Sequence, residues 1–251
     1  MNDVDLATDI AWEAGQLLLS IRAERAEEGQ ALGDRGDREA NAMILGRLAD
    51  ARPDDFILSE ESTDDRRRCG AKRVWIIDPL DGTRDYAEER DDWAVHIGLA
   101  IKGQAAVGAV AVPELNQVWS SGTAAVQSGG LARLRILVSR TRCPERLHRI
   151  GAALGAELIG MGSAGAKAMA VLDGRADAYL HEGGQYEWDN CAPVAVALAA
   201  GLHASRLDGS PLVYNRPDPS LPDLLICRRE LAPILLRAVA EASGPARSSA
   251  S

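Results

Sequence analysis

The stretch WIIDPLDGTRDYA, residues 75–87, runs an apolar segment, Val74–Ile77, into Asp78 and then, across Pro79 and Leu80, into Asp81. Taken alone, D-P-x-D-G is turn chemistry, because proline suits the second turn position and Asp-Gly is a common hairpin pair. The proline has a second reading. It fixes φ and has no N–H, so it stiffens the backbone between two acids that must point the same way. Other carboxylates stand at comparable ends: Ser59-Glu60-Glu61 follows the apolar run Phe56-Ile57-Leu58, and Trp188-Asp189-Asn190 precedes an apolar helix. Asp189 there also reads as an N-cap. Carboxylates that converge from three element ends repel one another unless a hard cation lies between them. Oxygen ligands with no nearby His or Cys favour Mg2+ over zinc. Gly82 lets backbone approach a bound group closely, and Thr83 adds a hydroxyl. A helix beginning near Thr83 turns free N–H groups toward an anion. Together these describe a place for a phosphate and an attacking water.

The rest of the chain supplies a frame for such a site. Leu6, Ile10, Ala14, Leu17, Leu18 and Ile21 predict a helix over 3–27, and Met43, Ile44, Leu45 and Leu48 one over 37–51. The loop TDDRRRCGAK reads as solvated. Trp93–Ile101 and Ala105–Val112 alternate with a period of two and predict a β-hairpin, with a further strand at Val118–Ser120. The Gly/Ser-rich stretch at 120–130 marks a boundary. Beyond it, strands at 134–139, 156–159, 177–181 and 224–227 alternate with helices at 144–154, 164–173, 190–200 and 229–242, Gly201 closing the third of these helices. The chain is thus α/β, an α+β first half (1–125, with an antiparallel sheet) followed by an α/β second half (131–243), and the tail 244–251 is expected to be disordered.

Net charge is −9 and no basic run longer than the three arginines at 66–68 occurs, which argues against long nucleic acids and anionic membranes as partners. A small anionic substrate is compatible with that charge when a metal carries it. The four cysteines are far apart and form no C-x-x-C pair, so they read as reduced thiols in a cytoplasmic protein. The acidic N-terminus argues against a signal peptide, and no apolar run reaches transmembrane length. His96, His148, His181 and His203 show no ligand spacing and read as surface or hydrogen-bonded core; Trp75 and Trp93 read as packing.

The motifs SEE, DPLDGT and WD, in this order and spacing, resemble the inositol monophosphatase superfamily, a family of Mg2+-dependent, lithium-sensitive sugar and nucleotide phosphatases. The stretches DDWAVHIGLA and GSAGAKAMAVLDGRADAYLHEGGQYEWD are most similar to its actinobacterial bisphosphate nucleotidases (CysQ), which act on 3'-phosphoadenosine 5'-phosphate. The resemblance implies a layered αβαβα sandwich of the inositol monophosphatase and fructose-1,6-bisphosphatase type, and two or three Mg2+ ions with Li+ as inhibitor. It implies a first metal on Glu60, Asp78 and the Leu80 carbonyl, and a second on Asp78, Asp81 and Asp189. Gly82 and Thr83 would offer N–H groups to the phosphate, and Thr83, paired with Asp37 of GDREAN, would assist the nucleophilic water. Glu60 is carried over as catalytic as well. Asp37 also opens the second predicted helix, so an N-cap role stands beside the catalytic one.

Choice of the alcohol is expected at the lip of the site, from Tyr86, Ser163, Lys167 and the loop HEGGQYE, 181–187. Lys167 reads either as an exposed amine or as a phosphate clamp. The nucleotidases' lysine falls here on Ala166, and Lys167 is one residue later, turned by about 100° on a helix. Pro193, where the family often has glycine, is expected to start a helix. The leading reading is a bisphosphate nucleotidase. Beside it stand an inositol monophosphatase, with or without fructose-1,6-bisphosphatase activity, and a metal-binding scaffold that has lost the chemistry. The family often forms homodimers, which the apolar helices allow.

Overall fold

The computed structural model describes residues 1–127 and 133–242. Helix α1 (Asp3–Glu24) is capped by Asn2, whose side-chain oxygen accepts from the Asp5 N–H. Helix α2 (Gly29–Ala51) begins well before the apolar spacing that predicted a start at residue 37. Its first turns bury glycines instead of a periodic apolar stripe. A Cβ on Gly33 would stand 2.7 Å from Thr83 Cγ2, and one on Gly36 3.0 Å from a Leu18 methyl. Asp37 is therefore interior to α2, and its N-cap reading is corrected.

Strands β1 (Phe56–Ser59), β2 (Arg73–Asp81), β3 (Ala94–Ile101), β4 (Gln104–Val112) and β5 (Gln117–Ser120) form the first sheet in sequence order, with helix α3 (Thr83–Ala87) after β2. The expected antiparallel sheet carries one parallel pair, β1 with β2, at its edge. DPLD is not a plain turn. Asp78 lies opposite His96 and Asp81 opposite Ala94, so β2 carries an extra residue there and bulges. A bulge tolerates a proline, which has no N–H for the ladder. The loop expected to be solvated contains a 3-10 turn, Arg66–Gly70, and buries Arg68 completely. Its guanidinium is satisfied by Asp64, Asn215 Oδ1 and the Arg216 carbonyl, which is what permits the burial.

Next come β6 (Arg135–Ser139), α4 (Glu145–Ala153), β7 (Glu157–Met161), α5 (Ala164–Leu172), β8 (Ala178–Tyr186), α6 (Glu187–Ala199), β9 (His203–Ser205), β10 (Ser220–Cys227) and α7 (Ala232–Glu241). The second sheet runs β7-β6-β8-β10-β9. The three-residue β9 has too short an alternation to be read from sequence and is held by β10. Helix α6 starts earlier than predicted because buried Glu187 accepts from the Asn215 and Arg216 N–H groups, pinning its first turn. Pro193 is inside α6, not at its start, and has no N–H to offer the Asp189 carbonyl.

Alternation along each strand decides the layers. In β2, Trp75 and Ile77 join Val95, Ile97 and Leu99 of β3 against α1 and α2, while Val74 and Ile76 face α5 and α6. Those two helices are covered on their other side by Leu137, Tyr179 and Ile226 of the second sheet. Its far face, Ile136, Val138 and Leu225, packs on α4 and α7. The order is helix, sheet, helix, sheet, helix. Among the described residues no helix is long and apolar enough to cross a membrane. Part of the boundary read at 120–130, and the tail 244–251, lie outside the described residues.

Candidate active site

Asp78 and Asp81 at the bulged end of β2 and Asp189 in the first turn of α6 each offer an oxygen, and these atoms lie within 4.8 Å of one another. Because β1 and β2 run parallel, they end on the same side, and Glu60 just beyond β1 lines the same cavity of about 570 Å³. Asp189 is the third residue of α6, not its cap, and accepts from the Tyr186 N–H at 2.6 Å. Asp78 Oδ1 accepts from the Leu80 N–H at 3.0 Å, which bends the chain across Pro79.

Burial and crowding set the charges. Burial first, then the fields of Glu60, Asp81 and Asp189, push Asp78 well above the usual carboxylate range. Burial, and after it Asp81, push Asp189 up to about 7, against the Tyr186 N–H. Glu60, at the exposed rim, also moves up, through water lost by its carboxylate and the charges of Asp189 and Asp81. Asp81 goes the other way: burial raises it, but His96, Lys167 and the Ser163 hydroxyl outweigh burial and hold it at about 2. Apart from Asp81, acids so placed take up protons unless a cation neutralises them. Their donors are all oxygens, the set a hard divalent ion requires, so the residues present fit a metal centre.

Gly82 has φ +92°, which L side chains rarely adopt, and it turns the chain from β2 into α3. The Thr83 hydroxyl donates to the Leu80 carbonyl at 3.1 Å. Burial, then the charge of Glu61, push the Asp37 carboxyl up to about 7, against the opposing pull of the nearby Thr83 hydroxyl.

Ser163 caps α5, accepting from the Ala166 N–H at 3.0 Å and donating to Asp81 Oδ2 at 2.5 Å. Lys167 is not an exposed amine. Its ammonium donates to the Gly162 and Ser163 carbonyls at 2.7 Å and to Met161 at 3.3 Å, and lies 5.0 Å from the centre of the Tyr179 ring. All three protons are taken, so the group braces the loop before α5. Burial draws its pKa down to about 8 against Asp81, Asp85 and Asp92. Sequence could not show this, because α5 is covered by a sheet on each side. Tyr86 is also corrected: it does not line the cavity, its hydroxyl donates to the Leu18 carbonyl at 2.7 Å, and its ring meets Trp93 edge-on.

Besides Lys167, the cations at the cavity are arginines that sequence reasoning missed. Arg84 and Arg142 line it, and neither pairs with a carboxylate among the described residues. Arg142 donates to the Gly184 carbonyl at 3.1 Å, and a Cβ on Gly184 would stand 2.6 Å from its guanidinium. Arg140 is gripped by Asp85 and Asp92. The available signal was SRTR, residues 139–142, closing an apolar strand. The segment expected as a loop, 181–187, is instead the end of β8 running into α6: His181 and Gln185 on that strand line the cavity, while exposed Tyr186 stacks on Trp188 with ring centres 4.8 Å apart.

Residues 2–243 match the inositol monophosphatase family. A protein of Mycobacterium leprae named 3'-phosphoadenosine 5'-phosphate phosphatase is 55% identical over 256 aligned positions, covering 96% of this chain and 94% of its own. The structure of CysQ from Bacteroides thetaiotaomicron superposes with a TM-score of 0.75 at 26% identity, over 90% of this chain and 97% of that one. Inositol monophosphatase II of Staphylococcus aureus reaches 0.80 at 21% identity over 98% of both chains, a likeness of fold.

Proposed function

The chain belongs to the inositol monophosphatase family, and on that premise we propose that it hydrolyses 3'-phosphoadenosine 5'-phosphate to AMP and phosphate with Mg2+. The observation that carries this reading is one cavity holding both an acid cluster and two arginines without carboxylate partners. The acids suit a scissile ester that needs cations, and Arg84 and Arg142 suit a second phosphate. The substrate named for the Mycobacterium leprae relative supports the same choice.

Asp78, Asp81, Asp189 and Glu60 would hold the cations, with the Leu80 carbonyl as a neutral oxygen. When bound, the metal neutralises phosphoryl oxygens and makes a water acidic enough to attack near neutral pH. With the Leu80 carbonyl given over to the cation, the Thr83 hydroxyl would turn its proton toward Asp37. Thr83 Oγ1 is left to receive a proton from the attacking water, and Asp37, at about 7, suits a base working near neutral pH. The water oxygen bonds phosphorus, the P–O3' bond breaks, and the 3'-oxygen takes a proton from water. The first N–H groups of α3, at Gly82 and Thr83, have no intrahelical partner and are offered to the phosphate. Ser163 and Lys167 act by fixing Asp81 and the loop before α5. Li+, a small hard cation, would compete for the same carboxylates. Four free cysteines accord with work in the reducing cytoplasm.

The test is Mg2+-dependent phosphate release from 3'-phosphoadenosine 5'-phosphate, inositol 1-phosphate and fructose 1,6-bisphosphate. The nucleotide is expected to give the largest kcat/KM. Arg142→Ala should raise KM for it by roughly 10-fold or more, as the loss of a charged hydrogen bond does, with little effect on a monophosphate. A higher kcat/KM for inositol 1-phosphate would overturn the reading.

A further inference from the structure

His96 has no place in the chemistry above, yet it sits at the junction of the acid cluster. It lies on β3 opposite Asp78 and is fully buried. Its Nδ1 is 3.1 Å from the carbonyl oxygen of Trp188, the residue before Asp189. Its Nε2 is 3.3 Å from Asp81 Oδ2, within ion-pair range but without hydrogen-bond geometry. That oxygen also accepts from the Ser163 hydroxyl at 2.5 Å and the Gly165 N–H at 3.0 Å. Three groups thus crowd one oxygen of Asp81, and Oδ1 accepts no hydrogen bond from the described residues.

Space for the ring is made by Gly165. A Cβ there would fall 2.1 Å from His96 Nε2 and 3.0 Å from a Val110 methyl. Any larger residue at 165 would drive the ring off Asp81. Gly165, the second residue of α5, has no positive φ that would call for glycine. The missing side chain and the imidazole therefore fit as a pair.

The geometry points to His96 as a positioning residue: a strut from Asp81, on the first sheet, to the start of the helix that carries Asp189, fixing the separation of two carboxylates that hold the metal. The inference rests on the reading of those acids as ligands and adds the group that spaces them. A metal site tolerates little error in ligand spacing, and partners that orient ligands typically matter by 10–100-fold in affinity.

The experiment separates strut from filler. Mg2+ binding is read, without substrate, as the rise in Tm of the whole chain over a titration from EDTA. The variants are His96→Ser, and His96→Ser combined with Gly165→Ala, which refills the space. The double variant is expected to recover most of the Tm lost in EDTA by the single one, yet to need about 10-fold or more Mg2+ for half the rise. Its KM for the nucleotide at saturating Mg2+ should change far less than its Mg2+ requirement. His96→Gln keeps most of the volume and cannot span both partners; it should show the same metal shift, and it serves if His96→Ser does not fold. Unchanged Mg2+ affinity in His96→Gln, or recovery of affinity together with Tm in the double variant, would reduce His96 to packing and overturn the proposal. A wild-type chain blind to Mg2+ would overturn the reading of the acids as well.

Discussion

At the scale of single residues, the chemistry depends on which atom of a side chain is already taken. Asp81 Oδ2 is held by Ser163 and Gly165, while Oδ1 is left to the cavity. Asparagine can keep its carbonyl toward those donors and turn its amide inward. Asp81→Asn should therefore fold with a Tm near wild type while losing the negative ligand. Metal ligation supplies several kcal/mol of charge stabilisation, so kcat/KM is expected to fall on the order of 100-fold or more. Near-normal turnover with Mg2+ would remove Asp81 from the metal site. Lys167 shows the limit of residue-level reading. Its helical position was read correctly, but the three carbonyls that occupy its ammonium come from backbone that only the folded loop presents.

At the scale of elements, close approach depends on glycines whose reasons lie on another element. Helix α6 packs flat on β3 and β4 because a Cβ on Gly108 would stand 2.3 Å from the Ala192 carbonyl oxygen, and one on Gly98 3.0 Å from the Ala192 nitrogen. Gly108→Ala must push α6, and Asp189 with it, off the sheet. Such overpacking costs about 1–3 kcal/mol, or roughly 2–4 °C of Tm per kcal/mol for a chain of this size. Gly46 is the control: it lies inside α2 with nothing within 4 Å of an added Cβ. Gly46→Ala should stabilise by about 0.5–1 kcal/mol. Differential scanning calorimetry checks both signs, and equal effects at the two positions would contradict the packing argument.

At the scale of the whole molecule, the site exists because two sheets and the helices between them meet there. Folding gathers acids that the unfolded chain keeps apart. Asp37 and Asp189 are each pushed up to about 7 in the metal-free fold, with Asp78 and Glu60 raised as well. Their unfolded values lie near 4. Between those limits the folded state binds more protons than the unfolded one, so stability falls as pH rises. Metal-free protein should accordingly melt higher at pH 5 than at pH 8. Asp81, held at about 2, acts in the opposite sense only at much lower pH, and His181, drawn by burial down to about 4, opposes the trend near pH 5 but is outnumbered by the raised acids. Mg2+ held by the proposed acids would bind the folded state alone and should raise Tm most at pH 8, flattening the profile. A pH-independent Tm in EDTA would show that the acids are not so crowded.

Sequence by itself determined which groups were available and on what kinds of element. Period-two alternation around Trp75 and Val95 announced the strands of the first sheet, and the carboxylates after Phe56–Leu58 and Val74–Ile77 announced strand ends charged for a cation. These were legible because they are local: burial pattern and turn chemistry are written within a few residues. Tertiary structure decided the rest. It extended α2 to Gly29 and α6 to Glu187, buried Arg68, withdrew Tyr86 from the cavity, spent Lys167 on carbonyls and put Arg142 in reach of the site. Apart from Lys167, whose carbonyls lie four to six residues before it, these outcomes are set by atoms far along the chain, whose distance no local pattern encodes, and a side chain's hydrogen-bonding capacity is used by whatever the fold brings nearest.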